Sequence, residues 1–212
     1  MTLGVIGRKV GMTQVFDSEG LAVPVTVVTL GDNIVTQKLT KEKNGYSAIQ
    51  VGGFVVQERK LNKPELGGFK KNSVSPVKPL QEYRLDDNSA YTVGQGLAID
   101  EILKEGMLVD VRGKTIGKGF QGTIKRYNHH RGPMSHGSKF HRSMGSIGAG
   151  TTPGRVFRGL HMPGQMGNKN HCIRHLQVVR VDLEKKVLLI RGATPGCDGA
   201  LLTIKPSKTK WN

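Results

Sequence analysis

Leu21-Ala-Val-Pro-Val-Thr-Val-Val-Thr-Leu30, followed at once by Gly31-Asp32-Asn33 and Ile34-Val-Thr-Gln-Lys38, decides the fold class. Valine and threonine fill the first run because a branched Cβ packs well on a pleated surface and loses freedom in a helix. The Gly-Asp-Asn triplet is turn chemistry, so the two runs read as successive strands. The same signs recur outward in both directions. Upstream, Met1-Thr-Leu-Gly-Val-Ile-Gly7 enters strand-like sequence directly. Downstream, Tyr46-Ser-Ala-Ile-Gln-Val51, Gln81-Glu-Tyr-Arg-Leu85, Tyr91-Thr-Val93 and Met107-Leu-Val-Asp-Val111 read as further short strands. Leu176–Asp182 and Val187–Arg191 flank a Leu-Glu-Lys-Lys connection, the clearest hairpin, and a last strand over Leu201–Lys205 stops at Pro206. Helix is scarce: a short one at Asp100–Glu105, and a weak stretch over 56–72 that Pro64 and Gly67-Gly68 interrupt. Many short strands with glycine turns, in two groups, predict a mainly β protein with a small antiparallel barrel. Its globular body spans 1–126 and 176–212, with a small irregular insert at about 55–80.

Between the two groups, residues 127–175 show neither helix nor strand periodicity. So long a structureless segment is unusual inside a compact domain. It makes sense as a loop that leaves the body and is ordered by a partner.

The charge distribution says what kind of partner. The 212-residue chain carries 32 Lys and Arg against 16 Asp and Glu, with a pI near 10.1. Residues 1–110 balance 13 cations against 13 acids. Residues 111–181 hold 13 cations, all seven histidines and 13 glycines, and not one Asp or Glu. A cationic segment that excludes carboxylates suits a polyanion, since any acid there would repel phosphates at close range. Glycines let the backbone approach a phosphate or base, and the interleaved Phe, Tyr, His and Arg offer faces on which unpaired bases stack. The polyanion is read as RNA. An anionic membrane would call for an amphipathic or continuous apolar stretch, and no run approaches 18 apolar residues. The N-terminus has neither signal-peptide nor transit-peptide character, and two cysteines provide no disulfide framework, so the expectation is a reducing cytoplasm.

Several catalytic motifs are approached and missed. Gly117-Lys-Gly119-Phe-Gln-Gly122 matches the dinucleotide-loop pattern. The acid needed about 20 residues later to hold a ribose is replaced by Lys139-Phe-His-Arg142. Gly113-Lys114-Thr115 resembles the end of a phosphate-binding loop whose first glycine would fall at 108, a leucine. His129, His130, His136 and His141 with Cys172 and His175 could gather a zinc, yet their spacings match no zinc module. Cys172 beside His171 lacks an orienting acid, and at the threshold of an apolar strand it is expected to be a core thiol. The sequence assembles no enzyme and asks for no cofactor or metal.

With these residues in view, the chain resembles the bacterial-type large-subunit ribosomal protein L-three family. The likeness is strongest over Leu103, Asp110, Gly113, Thr115, Gly117-Lys-Gly-Phe120, Gly122 and Arg126, which look like the family signature. It continues through Ser135-His-Gly-Ser138, Gly145-Ser-Ile-Gly148, Thr152-Pro-Gly-Arg-Val-Phe157 and Met162-Pro-Gly-Gln-Met-Gly-Asn168. Gly7-Arg-Lys-Val-Gly-Met-Thr13 and Ile190-Arg-Gly-Ala-Thr-Pro-Gly196 also look like family elements. The resemblance covers essentially the whole chain.

It implies a translation-protein-type β-barrel and a non-catalytic role as a structural constituent of the large ribosomal subunit. The long loop would thread through rRNA toward the peptidyl-transferase centre, and the protein would act early in assembly. Carried onto this sequence, the rRNA-binding residues are Lys9, Lys114, Lys118, Lys125, Arg126, Arg131, Lys139, His141, Arg142, Arg155, Arg158, Lys169 and Arg174. The loop tip is Ser143, Met144, Gly145, Ser146, Ile147, Gly148, Ala149, Gly150, Thr151, Thr152, Pro153 and Gly154. The implied partners are large-subunit rRNA and the neighbouring proteins L-fourteen and L-nineteen, with no membrane and no small-molecule substrate. The implied location is the cytoplasm, on the ribosome, or the plastid stroma for a plastid-encoded chain. Some relatives carry a methylated glutamine in the tip, where this chain has Ala149, Gly150 and Thr151, so that modification does not transfer. The rival reading is a free-standing RNA chaperone or RNA-binding assembly factor, which shares the charge pattern but binds many RNAs alike.

Overall fold

The computed structural model describes residues 2–208, which form two compact units. One comprises the chain up to Thr115 and from Asn170 onward; the other is Ile116–Lys169.

In the first unit, six strands close into an antiparallel barrel. They are β1 (Val5–Phe16), β2 (Ala22–Leu30), β6 (Leu108–Lys114), β9 (Asn170–Asp182), β10 (Val187–Arg191) and β11 (Leu201–Pro206), hydrogen-bonded in the order β1-β11-β6-β9-β10-β2. β2 pairs back to β1, so the ring has no gap. The quoted valine run supplies one staple of the interior: Val28 and Leu30 point inward with Val5, Val109, Val111, Val178, Leu188, Ile190, Leu202 and Ile204. Each such side chain contributes about 1.5–3 kcal/mol on leaving water, and here that contribution comes from all six strands.

β3 (Ile34–Leu39), β4 (Ala48–Val55) and β5 (Val77–Arg84) make a separate three-stranded antiparallel sheet. Its core is Val35, Ile49, Val51, Tyr83 and Leu97. The turn between β2 and β3 is built around Asn33, which is fully buried with φ 48°. Its Oδ1 accepts from the Ile6 N–H at 2.7 Å, and its Nδ2 donates to the carbonyls of Ile6 (3.1 Å) and Gly31 (2.8 Å). Asparagine tolerates the left-handed region and can satisfy both polar groups of one residue, which explains its place here. Gly31 is glycine for a different reason: a Cβ would collide with the Gly53 carbonyl oxygen, and backbone cannot step aside.

Four helices are short: α1 (Lys41–Asn44), α2 (Lys63–Lys71), α3 (Ile99–Ile102) and α4 (Thr123–Tyr127). α2 corrects the expectation of an interrupted stretch. Pro64 lies in its first turn, where a missing N–H is harmless, and the Asn62 N–H donates to the Glu65 carboxylate at 3.1 Å. Tyr91-Thr-Val93, expected as a strand, is a turn tied by Thr92 to Gln95, with Gly94 at φ 86°.

The boundaries of the excursion also move. Residues 170–175 belong to β9, because β6 supplies ladder partners from Lys114↔Asn170 to Leu108↔Gln177. Their His-Cys-Ile-Arg-His sequence hid the strand, since most of these side chains face outward. At the other end, residues 116–126 join the second unit.

Candidate nucleic-acid interface

The unit Ile116–Lys169 is inserted in the chain between the paired strands β6 and β9 and contains no acidic residue. Its base is a two-stranded ladder of β7 (Gly119–Gln121) and β8 (Gly164–Met166), extended by the Lys118 N–H donating to Met166 O at 2.9 Å. Gly167, at φ 70°, lies so close to the Ile116 carbonyl that no side chain fits. α4 follows β7 and ends at Asn128, whose left-handed φ of 59° turns the chain. Arg126 then braces the unit from within. Its Nη1 donates to Met162 O at 2.6 Å, and its guanidinium lies 4.9 Å from the Tyr127 ring centroid. Tyr127 stacks on His161 at 4.0 Å with 4° between the planes.

Most of the expected contact residues lie at the surface. Lys114, Lys118, Lys125, Arg131, Lys139, Arg142, Arg155, Arg158, Lys169 and Arg174 are exposed. Arg155 lies over Phe157 at 5.7 Å, so one face of that guanidinium is already occupied. Arg126 and His141 are half-buried. His141 Nδ1 donates to Pro133 O at 2.9 Å, because a carbonyl can only accept, and that leaves Nε2 as the ring's outward nitrogen. The Gly132 N–H donates to His141 O at 2.9 Å, closing a small hairpin. In the tip, Ser143 and residues 145–154 are exposed and Met144 is half-buried. The Ser146 hydroxyl donates to Gly148 O at 3.1 Å, and the Gly154 N–H donates to Gly150 O at 3.1 Å.

Lys9 departs from expectation. It is only 7% exposed, and its ammonium donates to Thr194 O and Gly196 O at 3.4 and 3.3 Å. It pins the Thr194–Gly196 turn, and its side chain is almost wholly withdrawn from solvent. Cys172 departs in the opposite sense. Expected as a core thiol, it is exposed, as is Cys197, because it sits across from Arg112 on the outer face of the barrel while Ile173 pairs with buried Val111.

That outer face holds residues that the sequence did not single out. A cleft of about 830 Å³ brings Arg84, Arg112, Arg174, Lys205 and Lys208 together, with Asp110 and Glu82 as its only carboxylates among the described residues. Strand order explains the cluster. β11, β6 and β9 are neighbours, and the register sets Thr203 and Cys172 on either side of Arg112, and Lys205 across from Asp110. Burial lowers the pKa of the Lys205 ammonium, and repulsion from Arg112 adds to the effect. Its Nζ rests 4.8 Å from the Tyr83 ring centroid. A cation held below its ordinary pKa beside a second cation gains from an arriving anion. Period-two reading of β6 could have found Arg112, two residues before Lys114. Nothing in the sequence joins it to Lys205, 93 positions later.

Among the described residues, no group of three or more His, Cys, Asp and Glu is placed to hold a metal, and no helix is long and apolar enough to cross a membrane.

A β body carrying an acid-free, cation-covered unit matches one class of protein, and comparison with known sequences agrees: the relatives are ribosomal proteins of the large subunit. Residues 85–187 match the family described as Ribosomal protein L3. The "Large ribosomal subunit protein uL3" of Acaryochloris marina is 55% identical over 98% of this chain and 97% of its own. Those of Thermosynechococcus vestitus and Crocosphaera subtropica are 53% and 54% identical, each over 98% of both chains. The chain belongs to the Ribosomal protein L3 family.

Proposed function

We propose that this chain is a structural, non-catalytic constituent of the large ribosomal subunit that binds large-subunit rRNA directly. The observation that carries the proposal is the acid-free unit Ile116–Lys169 with its exposed cations. Lys114, Lys118 and Lys125 meet phosphates near its base; Arg131, Lys139, Arg142, Arg155, Arg158 and Lys169 do so along its arms. Arg126 positions the loop, and His141 presents Nε2. The barrel cleft adds Arg84, Arg112, Arg174, Lys205 and Lys208 as a second phosphate surface. These side chains release counterions condensed between RNA helices and let phosphates pack closely.

The glycine-rich tip, 143–154, extends toward the peptidyl-transferase centre and restricts how nearby nucleotides rearrange. Binding occurs early in subunit assembly, on a barrel of the translation-protein type, with L-fourteen and L-nineteen as protein neighbours. Family resemblance supports these finer points.

The test is competition between protein-free large-subunit rRNA and an unrelated structured RNA of equal length at moderate salt. A preference of about tenfold or more, about 1.4 kcal/mol, is expected for a dedicated site. Equal affinities with a steep salt dependence would replace this reading with that of a general RNA chaperone.

A further inference from the structure

A cavity of about 420 Å³ opens within the unit Ile116–Lys169. His129 and His161 form one side, Met144 and Leu160 contribute apolar walls, and Gly145 and Ser146 bring tip backbone to its rim. Tyr127 covers one face of the His161 ring, at 4.0 Å and nearly parallel, but does not line the cavity. The His129 ring is tilted 43° from that of His161 with centroids 5.8 Å apart, so the two make a wedge, not a closed stack. Behind them the column is locked, because Arg126 caps Tyr127 at 4.9 Å while its Nη1 is held by Met162 O.

The residues around this cavity narrow what it can take. No acid lies between Asp110 and Asp182 to orient either imidazole as a base or to pair with a cationic ligand. The described residues bring no three metal-type side chains together. What remains is a preformed, partly apolar slot with aromatic faces in a cationic, carboxylate-free unit. Such a site suits a flat, neutral, aromatic group attached to a polyanion. An added Cβ at Gly145 or at the neighbouring Gly159 meets nothing within 4 Å, so the space beside both glycines is open.

We infer that this cavity receives one unpaired nucleobase of the bound RNA, which stacks on His161 and extends the Arg126–Tyr127–His161 column. The inference rests on the RNA-binding reading and deepens it: the cations hold the backbone, and this slot holds a base. His161 is the stacking residue, His129 closes the wedge, and Tyr127 and Arg126 position the platform. Stacking tolerates any base, so the slot senses whether a base is unpaired more than which base it is.

The experiment compares two probes on the full chain: a single-stranded mixed-sequence RNA hexamer, and the same ribose-phosphate backbone with abasic residues. Both carry the same phosphates. The wild-type chain is expected to prefer the base-bearing hexamer by about tenfold, equivalent to about 1.4 kcal/mol. His161→Ala should remove most of that preference while leaving abasic affinity unchanged, and His161→Phe should keep it. Arg142→Ala, outside the slot, should weaken both probes alike. Should wild type bind both probes equally, or His161→Ala leave the ratio unchanged, the base slot is overturned while RNA binding stands. Failure to bind either probe overturns both.

Discussion

The outer cleft of the barrel makes a quantitative claim about salt. Arg112 and Arg174 are exposed, Lys205 is half-buried, and all three face a space with five cations and two carboxylates. If phosphates occupy that space, each cation releases roughly one condensed counterion, and the logarithm of affinity falls with the logarithm of salt by about 0.7–0.9 per contact. The triple variant Arg112→Gln, Arg174→Gln, Lys205→Gln should therefore flatten the slope for large-subunit rRNA by about 2 to 2.7. Between 50 and 200 mM salt, the wild-type advantage over the variant should shrink about sixteen- to fortyfold. Nitrocellulose filter binding across four salt concentrations reads this directly. Lys9→Met is the internal contrast. Its ammonium is buried against Thr194 and Gly196, so the slope should stay at the wild-type value even though the fold loses stability. An unchanged slope in the triple variant, with the fold intact by circular dichroism, would refute phosphate binding in the cleft.

Four other outcomes are expected. Asn33→Ala leaves the buried N–H of Ile6 without its partner, while the Ile6 carbonyl keeps the Gly31 N–H, and should cost about 1–3 kcal/mol in urea unfolding at unchanged m-value; a loss below about 0.5 kcal/mol would contradict that account. The Lys186 ammonium, 2.6 Å from Asp32, holds that carboxyl below its ordinary pKa, so its contribution is present above the unfolded pKa and lost as pH falls through the folded one. Wild type should thus lose stability on acidification relative to Asp32→Asn, from a neutral-pH lead of under about 1 kcal/mol because the pair is exposed; parallel pH profiles would exclude the linkage. Within the tip, backbone amides of 145–150 should exchange quickly in the free chain and become protected on rRNA, with protection already present in the free chain as the contrary result. Alkylation of exposed Cys172 should slow when RNA fills the cleft, with exposed Cys197 as the reference thiol; equal rates with and without RNA would argue against occupancy.

Much of this molecule is readable in one dimension because two of its signals are local. Strand propensity acts residue by residue, so Ala22–Leu30, Ile34–Leu39 and the β9–β10 hairpin are visible in their branched side chains and turn residues. The absence of acids from 111–181 is also a property of composition, and it marks the segment proposed to face RNA without coordinates. Propensity misread α2, because a proline counts against a helix interior but not against a first turn. It missed the start of β9, where a neighbour's hydrogen bonds, not its own side chains, make the strand.

The sequence by itself determined the class: a β body, a cationic insert without carboxylates and the family to which the chain belongs. Only the tertiary structure decided which cations are available. It withdrew Lys9, whose charge is satisfied by carbonyls 185 and 187 positions away. It joined Arg112 to Lys205 through strand order, and it stacked Tyr127 on His161, the platform of the proposed base slot. The physical reason is that charge and propensity are carried by each residue. Exposure and proximity depend on which strands share an edge, and that emerges only when the barrel closes.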